Sequence, residues 1–284
     1  GRRAARLYVE GLAQSLQMRR LDLTQVPLRL TDESTIGVIR RALDADDALK
    51  TTQAIGWIEQ MGASQWRDEL VALARHSDAA VRTAALGALA EAELSDEEAT
   101  KTLRLALTDD NATVRRAAVD GLGTLTDTLI TDLQRASDDP AAQVRYSALR
   151  VLARHGDTQA LQQLEQQLRD PGPERPMALA ALAEGGHLSG AQLQTWLGAD
   201  DADTLRAALD ALPTKEPTPW RRLAQLLLSP AVRGNARDAL RRCARQDPEG
   251  MLALCRDETL PPRHRAHLVR LLAGVDHGQV HAAL

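Results

Sequence analysis

Phenylalanine is absent from the 284-residue chain, and aromatic side chains are limited to two tyrosines and four tryptophans. A globular core normally draws much of its volume from aromatic rings. Here leucine, alanine and valine must supply that volume, and alanine and leucine are among the strongest helix formers. The composition therefore predicts an all-α protein.

Lysine and cysteine are scarce as well, and positive charge comes almost entirely from arginine. The net charge is −4 and the pI is about 6.0. A dedicated nucleic-acid-binding domain would usually be clearly basic, so this balance disfavours a nucleic-acid partner. Cys243 and Cys255 show no CxxC or zinc-type spacing, and we expect free, buried thiols in a reducing compartment.

No run of about 20 apolar residues, the length needed to span a bilayer, occurs in the chain. Residues 1–6 lead into an amphipathic stretch and not into the apolar run of a signal peptide. We therefore expect a soluble, cytoplasmic chain. Because the sequence starts with glycine and not with methionine, a longer parent protein stays open as an alternative.

Sequence signatures of catalysis are also missing. The chain has no Gly-rich phosphate loop after a strand, no G-x-S-x-G and no HExxH. The spacings of His264/His267 and His277/His281 could put two imidazoles on one helix face, but no carboxylate or thiol motif accompanies them. We interpret these histidines as part of a polar C-terminal cap. We predict that the protein is not an enzyme and that it holds no metal and no cofactor.

What the sequence does contain is a pattern that recurs about every 30 residues. An apolar helix ends near an aspartate, a short turn follows, and an aliphatic–Arg pair opens a second helix. Val81 and Val114 are 33 residues apart, Val114 and Val144 are 30 apart, and Leu205 and Val232 are 27 apart. One hairpin of two short helices cannot cover its own apolar stripe, so neighbouring hairpins must stack on it. The copies begin at Val38, Leu70, Leu103, Leu133, Leu164, Leu193, Leu223 and Met251.

Three copies approximate the form D-x-x-x-V-R-x-x-A-x-x-A-L, with two, three and four residues between the aspartate and the valine: Asp78 with Val81-Arg82, Asp110 with Val114-Arg115, and Asp139 with Val144-Arg145. This form resembles bacterial HEAT-like repeats of the phycobilisome-lyase type. The resemblance covers roughly residues 36–284. It implies an all-α, right-handed α-solenoid of about eight HEAT-type helical hairpins. Two copies depart from the form, with Glu174-Arg175 and His264-Arg265 in place of Val-Arg.

The opening of the chain carries a second resemblance. Tyr8-Val9-Glu10, residues 19–23 and residues 39–43 are similar to the segment that joins an ATP:ADP-antiporter-like membrane domain to soluble HEAT repeats in bacterial proteins. This similarity implies a place on the cytoplasmic face of the inner membrane and a covalent continuation into a membrane domain. The predicted organisation is a capping or juxtamembrane helix plus connector at 1–31 and a continuous repeat array at 32–284, with a loop break at 213–219.

A set of aspartates and arginines recurs at the turn between the two helices of each copy. We interpret it as structural, with each arginine bonding turn carbonyls and the turn aspartate of its own or the adjacent repeat. A stripe that binds anions stays open as the alternative. The set comprises Asp78, Arg82, Asp110, Arg115, Asp139, Arg145, Arg206 and Arg233.

A different set points to a partner surface. Helical spacing places Arg116, Asp120, Tyr146 and Arg150 on the outward side of the second helices, which is expected to line the concave face. Tyr and Arg are favoured at binding hot spots. We predict a non-catalytic protein-interaction or scaffolding module that binds a protein partner there. Two alternatives stay open: a cytoplasmic regulatory domain of a bacterial membrane transporter-like protein, and a HEAT-like DNA-binding protein or glycosylase.

Overall fold

The computed structural model contains only helices, turns and loops in the part of the chain that it describes, namely residues 33–44, 47–91, 97–123, 130–213 and 217–272. The predicted all-α class is confirmed. The helix and connector predicted at 1–31 lie outside the described residues, and so do His277 and His281. The membrane-linked interpretation of the opening segment therefore stays a prediction.

Sixteen α-helices occupy the described ranges and form eight hairpins, each with a first (A) and a second (B) helix. A short 3-10 helix, Ala63–Trp66, leads into the second hairpin. The first four hairpins are α1 (Glu33–Leu43) with α2 (Ala48–Met61), α3 (Arg67–Leu73) with α4 (Ala79–Glu91), α5 (Glu97–Ala106) with α6 (Ala112–Leu122), and α7 (Ile130–Ala136) with α8 (Ala142–Arg154). The last four are α9 (Thr158–Arg169) with α10 (Arg175–Glu184), α11 (Gly190–Trp196) with α12 (Ala202–Ala211), α13 (Trp220–Leu226) with α14 (Arg233–Gln246), and α15 (Pro248–Arg256) with α16 (Pro262–Leu272).

The B helices repeat one buried pattern. In α6, Val114, Ala118 and Leu122 are four residues apart and completely buried, because side chains at this spacing lie on one face of a helix. The residue directly after the alanine is an aliphatic that is buried as well. This residue is Ile55, Leu86, Val119, Leu149, Leu179 and Leu209 in α2, α4, α6, α8, α10 and α12.

The hairpins group into two compact units, Gly1–Leu152 and Ala153–Leu284. Within the first unit, α4 packs between the B helices α2 and α6. Within the second unit, α12 packs between α10 and α14. Each unit is thus a stack of hairpins in which successive B helices cover one another, the arrangement of an α-solenoid.

Close packing in the first unit depends on a glycine in a B helix. A Cβ atom at Gly121 would lie 2.7 Å from Cδ2 of Leu103 and 3.2 Å from Cβ of Ala90. Leu103 belongs to the A helix of the same hairpin, and Ala90 belongs to the preceding B helix. The missing side chain at Gly121 therefore lets three helices meet closely.

Helix α11 begins with a reciprocal cap. The Ser189 hydroxyl accepts a hydrogen bond from the backbone N–H of Gln192 at 3.3 Å. The side-chain oxygen of Gln192 accepts one from the backbone N–H of Ser189 at 2.9 Å. We expect Ser189→Ala to weaken this helix start by about 1 kcal/mol, which makes exchange of the Gln192 amide hydrogen about fivefold faster. Ser77→Ala, in an exposed turn, is the control. An unchanged exchange rate in Ser189→Ala would contradict a stabilising role for the cap.

No helix in the described ranges is long and apolar enough to cross a membrane. Both cysteines are free; Cys243 is buried and Cys255 is half-buried. Burial raises the pKa of both thiols, because it disfavours the charged thiolate. The loop break predicted at 213–219 falls between α12 and α13, with residues 214–216 outside the described part.

Candidate interaction surface

Three of the four predicted partner residues meet around one carboxylate. Asp120 on α6 accepts a hydrogen bond from Arg150 Nη2 on α8 at 2.6 Å, and Arg116 Nε lies 3.5 Å from its other oxygen. The Ser147 hydroxyl donates to the same carboxylate. We call Arg116, Asp120, Ser147 and Arg150 the Asp120 cluster. It links two successive B helices.

Tyr146 corrects the sequence interpretation, which placed it outward. Its side chain is buried, with only 6% of the residue exposed. Arg116 occupies the equivalent position on α6 and has 51% of its side chain exposed. An aromatic ring gains by burying its apolar area, whereas a long charged side chain extends to water. Helical spacing gives the direction of a residue but not the depth to which neighbours cover it.

Ser147 is the residue of the cluster that sequence reasoning missed. It is buried, and its hydroxyl donates to Asp120 across the interface between hairpins. Two earlier B helices have alanine at this position, Ala84 and Ala117. A hydroxyl where these two copies have alanine was the available signal.

The Asp120 cluster consists of ionic and hydrogen-bonding groups. Its carboxylate accepts hydrogen bonds from a hydroxyl and a guanidinium, and half of the Arg116 side chain is exposed to solvent. The cluster contains no imidazole or thiol to act with Ser147 as base or nucleophile. Among the described residues, no group of three or more His, Cys, Asp or Glu side chains could hold a metal ion.

A second set of contacts forms a ladder at the turns. Arg82 donates from Nε and Nη2 to the two carboxylate oxygens of Asp109 at 2.8 and 2.9 Å. Arg115 binds Asp139 in the same way at 2.7 and 2.9 Å. Each arginine also donates from Nη1 to two carbonyls of its own turn, five and six residues earlier. One guanidinium thus fixes the turns of two neighbouring hairpins.

The aspartate that binds Arg82 lies one residue before the predicted one. Asp109, and not Asp110, accepts from Arg82. Asp110 is exposed and contributes its backbone carbonyl to Arg115. Adjacent side chains in a turn point in different directions, so only one of the two aspartates faces the preceding hairpin. Asp78 is exposed and caps α4 by accepting backbone N–H groups at 2.8 and 3.3 Å.

Later rungs of the ladder keep part of this geometry. Arg145 donates to the carbonyls of Asp139 and Pro140, both at 2.9 Å. Arg233 donates from Nε to the Leu227 carbonyl at 3.0 Å. In both cases the acceptors lie five or six residues earlier, as they do for Arg115.

Arg206 bonds the turn of the adjacent hairpin, and Arg175 bonds its own turn. Arg206 follows its N-cap residue Asp201 by five residues, whereas Arg115 follows its N-cap residue by four. It therefore bonds not its own turn but the Ala231 carbonyl of the next hairpin, at 3.0 and 3.2 Å. Arg175, which follows a glutamate in place of the valine, bonds two carbonyls of its own turn at 3.2 and 3.3 Å.

The ladder carboxylates are held in their charged form. The hydrogen bond from Arg115 lowers the pKa of Asp139, and burial opposes it. For Asp109, burial would raise the pKa, but the hydrogen bonds from Arg82 and from a backbone N–H leave it below its usual value. These guanidiniums are directed at protein groups in partly buried turns.

Comparison with known proteins gives one family. The HEAT-repeat profile matches residues 36–123 and 100–183, together just over half of the chain. No curated protein matches.

Several solved structures are similar in fold. Escherichia coli YibA is 13% identical, with 93% of this chain and 96% of that chain covered and a TM-score of 0.46. The complex of CpcE and CpcF of phycocyanin lyase from Nostoc sp. PCC7120 is 17% identical, with 90% and 100% covered and a TM-score of 0.45. Human deoxyhypusine hydroxylase is 18% identical, with 83% and 95% covered and a TM-score of 0.40. The stacked hairpins and the family match agree, and the chain belongs to the HEAT-repeat family.

Proposed function

We propose that this protein is a non-catalytic interaction module that binds a protein partner at the Asp120 cluster. The observation that carries the proposal is the meeting of Arg116, Asp120 and Arg150 from two successive B helices. A cluster fixed by the rigid stack is pre-organised, which reduces the entropic cost of binding. Stacked helical repeats also offer extended surfaces that suit protein partners.

The cluster suggests the chemistry of the contact. Arg150 and Ser147 already occupy one oxygen of Asp120. Arg116 has only a 3.5 Å contact to the carboxylate and is half exposed. Its guanidinium therefore offers donors to a carboxylate or to backbone carbonyls of the partner.

The test is capture from native cell extract with the 284-residue chain as bait. Arg116→Glu should reduce the amount of one captured protein about tenfold, which corresponds to about 1.4 kcal/mol of binding free energy. Arg135→Glu is the matched control, because Arg135 is 78% exposed on a neighbouring helix and carries one weak ion pair. The helical circular dichroism signal should be unchanged in both variants.

Equal capture by wild type and Arg116→Glu would reject the Asp120 cluster as the partner site. Turnover of a substrate by the purified chain would reject the non-catalytic part of the proposal. Binding of DNA that is equally sensitive to Arg116→Glu and falls steeply with salt would favour the nucleic-acid alternative.

A further inference from the structure

Helix α14 departs from the pattern of the earlier B helices at one position. Val232, Ala236 and Leu240 are buried and align α14 with the others. The next residue after the alanine, aliphatic and buried in the six earlier B helices, is Arg237. Its side chain is 49% exposed. The regular apolar contact between B helices is therefore replaced by a charge on α14.

Two further arginines continue from Arg237 along the helix. Arg241 and Arg245 follow at steps of four residues, which separates successive side chains by about 6 Å along the axis. Asp238 lies between Arg237 and Arg241, at 3.5 Å from the first and 3.6 Å from the second. We call Arg237, Arg241 and Arg245 the arginine ridge. Within the described residues, Asp238 is its only ion-pair partner.

The ridge lies on the side of α14 that the array leaves open. Asn235 and Arg242, on another side, bond Asp210 and the Leu209 carbonyl of α12 at 3.0 and 2.8 Å. At about 100° per residue, the ridge is turned away both from these contacts and from the buried face. The following B helix, α16, packs on α13 and α15.

Other arginines of this hairpin satisfy backbone carbonyls. Arg222 donates to the Leu197 carbonyl at 2.7 and 2.9 Å, and Arg233 donates to that of Leu227. These side chains connect helices, whereas the ridge extends to solvent. Residues 217–246 contain seven arginines and one aspartate, in a chain whose net charge is −4.

The sign and the spacing of the ridge point to its partner. The end of a repeat stack needs polar residues of either sign, but the ridge has three guanidiniums against one carboxylate. Arginine binds carboxylates in a bidentate geometry, and carboxylates at every fourth residue of a helix repeat at the same interval of about 6 Å. We propose that the arginine ridge of α14 binds an acidic helix of a protein partner. This surface belongs to the second unit and is distinct from the Asp120 cluster.

The probe is a synthetic alanine-rich helical peptide with glutamate at positions i, i+4 and i+8, titrated against the full chain by fluorescence anisotropy. Arg237→Glu/Arg245→Glu should lower the affinity at least about tenfold, equal to about 1.4 kcal/mol. Arg135→Glu/Arg169→Glu makes the same change in net charge at exposed helical arginines that also have weak local ion pairs. This control should bind within about twofold of wild type, since neither of its arginines belongs to the ridge. Arg116→Glu should bind like wild type, which separates this test from that of the Asp120 cluster.

Three results would overturn the proposal. The first is equal loss in the ridge variant and in the control, which would indicate attraction by net charge alone. The second is undiminished binding by the ridge variant with an unchanged melting curve. The third is tighter binding of single-stranded DNA of equal charge that is lost in the ridge variant, which would assign the ridge to nucleic acid. A peptide with glutamine at the three positions should not bind.

Discussion

Replacing Arg115 with methionine is expected to lower the free energy of unfolding of the first unit by about 2–4 kcal/mol. The side chain makes two charge-assisted bonds to Asp139 and two bonds to carbonyls of its own turn. Both partners of the ion pair are largely buried, with 14% and 11% of their side chains exposed. Methionine keeps the apolar stem but leaves the Asp139 carboxylate without its partner, which is the costly part of breaking such a pair.

Urea unfolding followed by circular dichroism measures this loss. Arg135→Met, at a highly exposed arginine with one 3.7 Å ion pair, should change stability by less than about 0.5 kcal/mol. If the two variants lose the same stability, the ladder does not couple the hairpins. The double variant Arg115→Met/Asp139→Asn should recover part of the loss, because it no longer leaves a charge unpaired.

The same contact has a defined dependence on pH. The pKa of Asp139 is lowered in the folded protein, first by the hydrogen bond from Arg115. A lowered folded pKa contributes stability that is fully present above the unfolded value, about 3.9, and is lost as the pH falls through the folded value. The difference between wild type and Arg115→Met should therefore stay constant from about pH 7 to pH 5 and shrink below about pH 4.

Gly121→Leu is expected to cost about 3 kcal/mol or more, or to prevent the first unit from folding. The first added atom would lie 2.7 Å from Leu103 and 3.2 Å from Ala90, and the remaining three atoms would have to displace a neighbouring helix. Gly121→Ala should cost much less, because the end of Leu103 can turn away and alanine favours a helix by about 1 kcal/mol over glycine.

Gly56 is the matched control in this experiment. It lies within helix α2, and a Cβ there would meet nothing within 4 Å. Gly56→Ala should raise the free energy of unfolding by up to about 1 kcal/mol. Thermal unfolding of the variants compares them directly. A Gly121→Leu protein as stable as wild type would mean that the hairpins are not packed closely at this point.

Much of the fold is predictable because the hairpins repeat a regular spacing of apolar residues. Val114, Ala118 and Leu122 mark the buried face of α6, and the same spacing of buried valine, alanine and leucine recurs in α4, α8 and α14. The turns are less predictable, since a shift of one residue changes which side chain faces the neighbour. Asp109 and Asp110 are adjacent and both acidic, yet only Asp109 receives Arg82.

On the candidate surface as well, the side of a helix on which a residue lies is predictable, whereas its contacts with other hairpins and its burial are not. Arg116, Asp120 and Arg150 share a side of their helices, and helical spacing was enough to group them. Ser147 joins them through a contact that crosses 27 residues, and the depth of Tyr146 depends on its surroundings. The repeat marks Ser147 as an exception, but it gives neither the partner of that hydroxyl nor the depth of Tyr146.

The ladder contacts join residues of adjacent hairpins. The two strongest rungs connect positions 27 and 24 residues apart, about one hairpin. Such short connections give a low contact order, so folding can begin at any hairpin and spread to its neighbours. Because each contact joins only adjacent hairpins, duplication or loss of one hairpin at its boundaries disturbs only the contacts on either side of it. Array length can then vary over evolution while the remaining turns keep their partners.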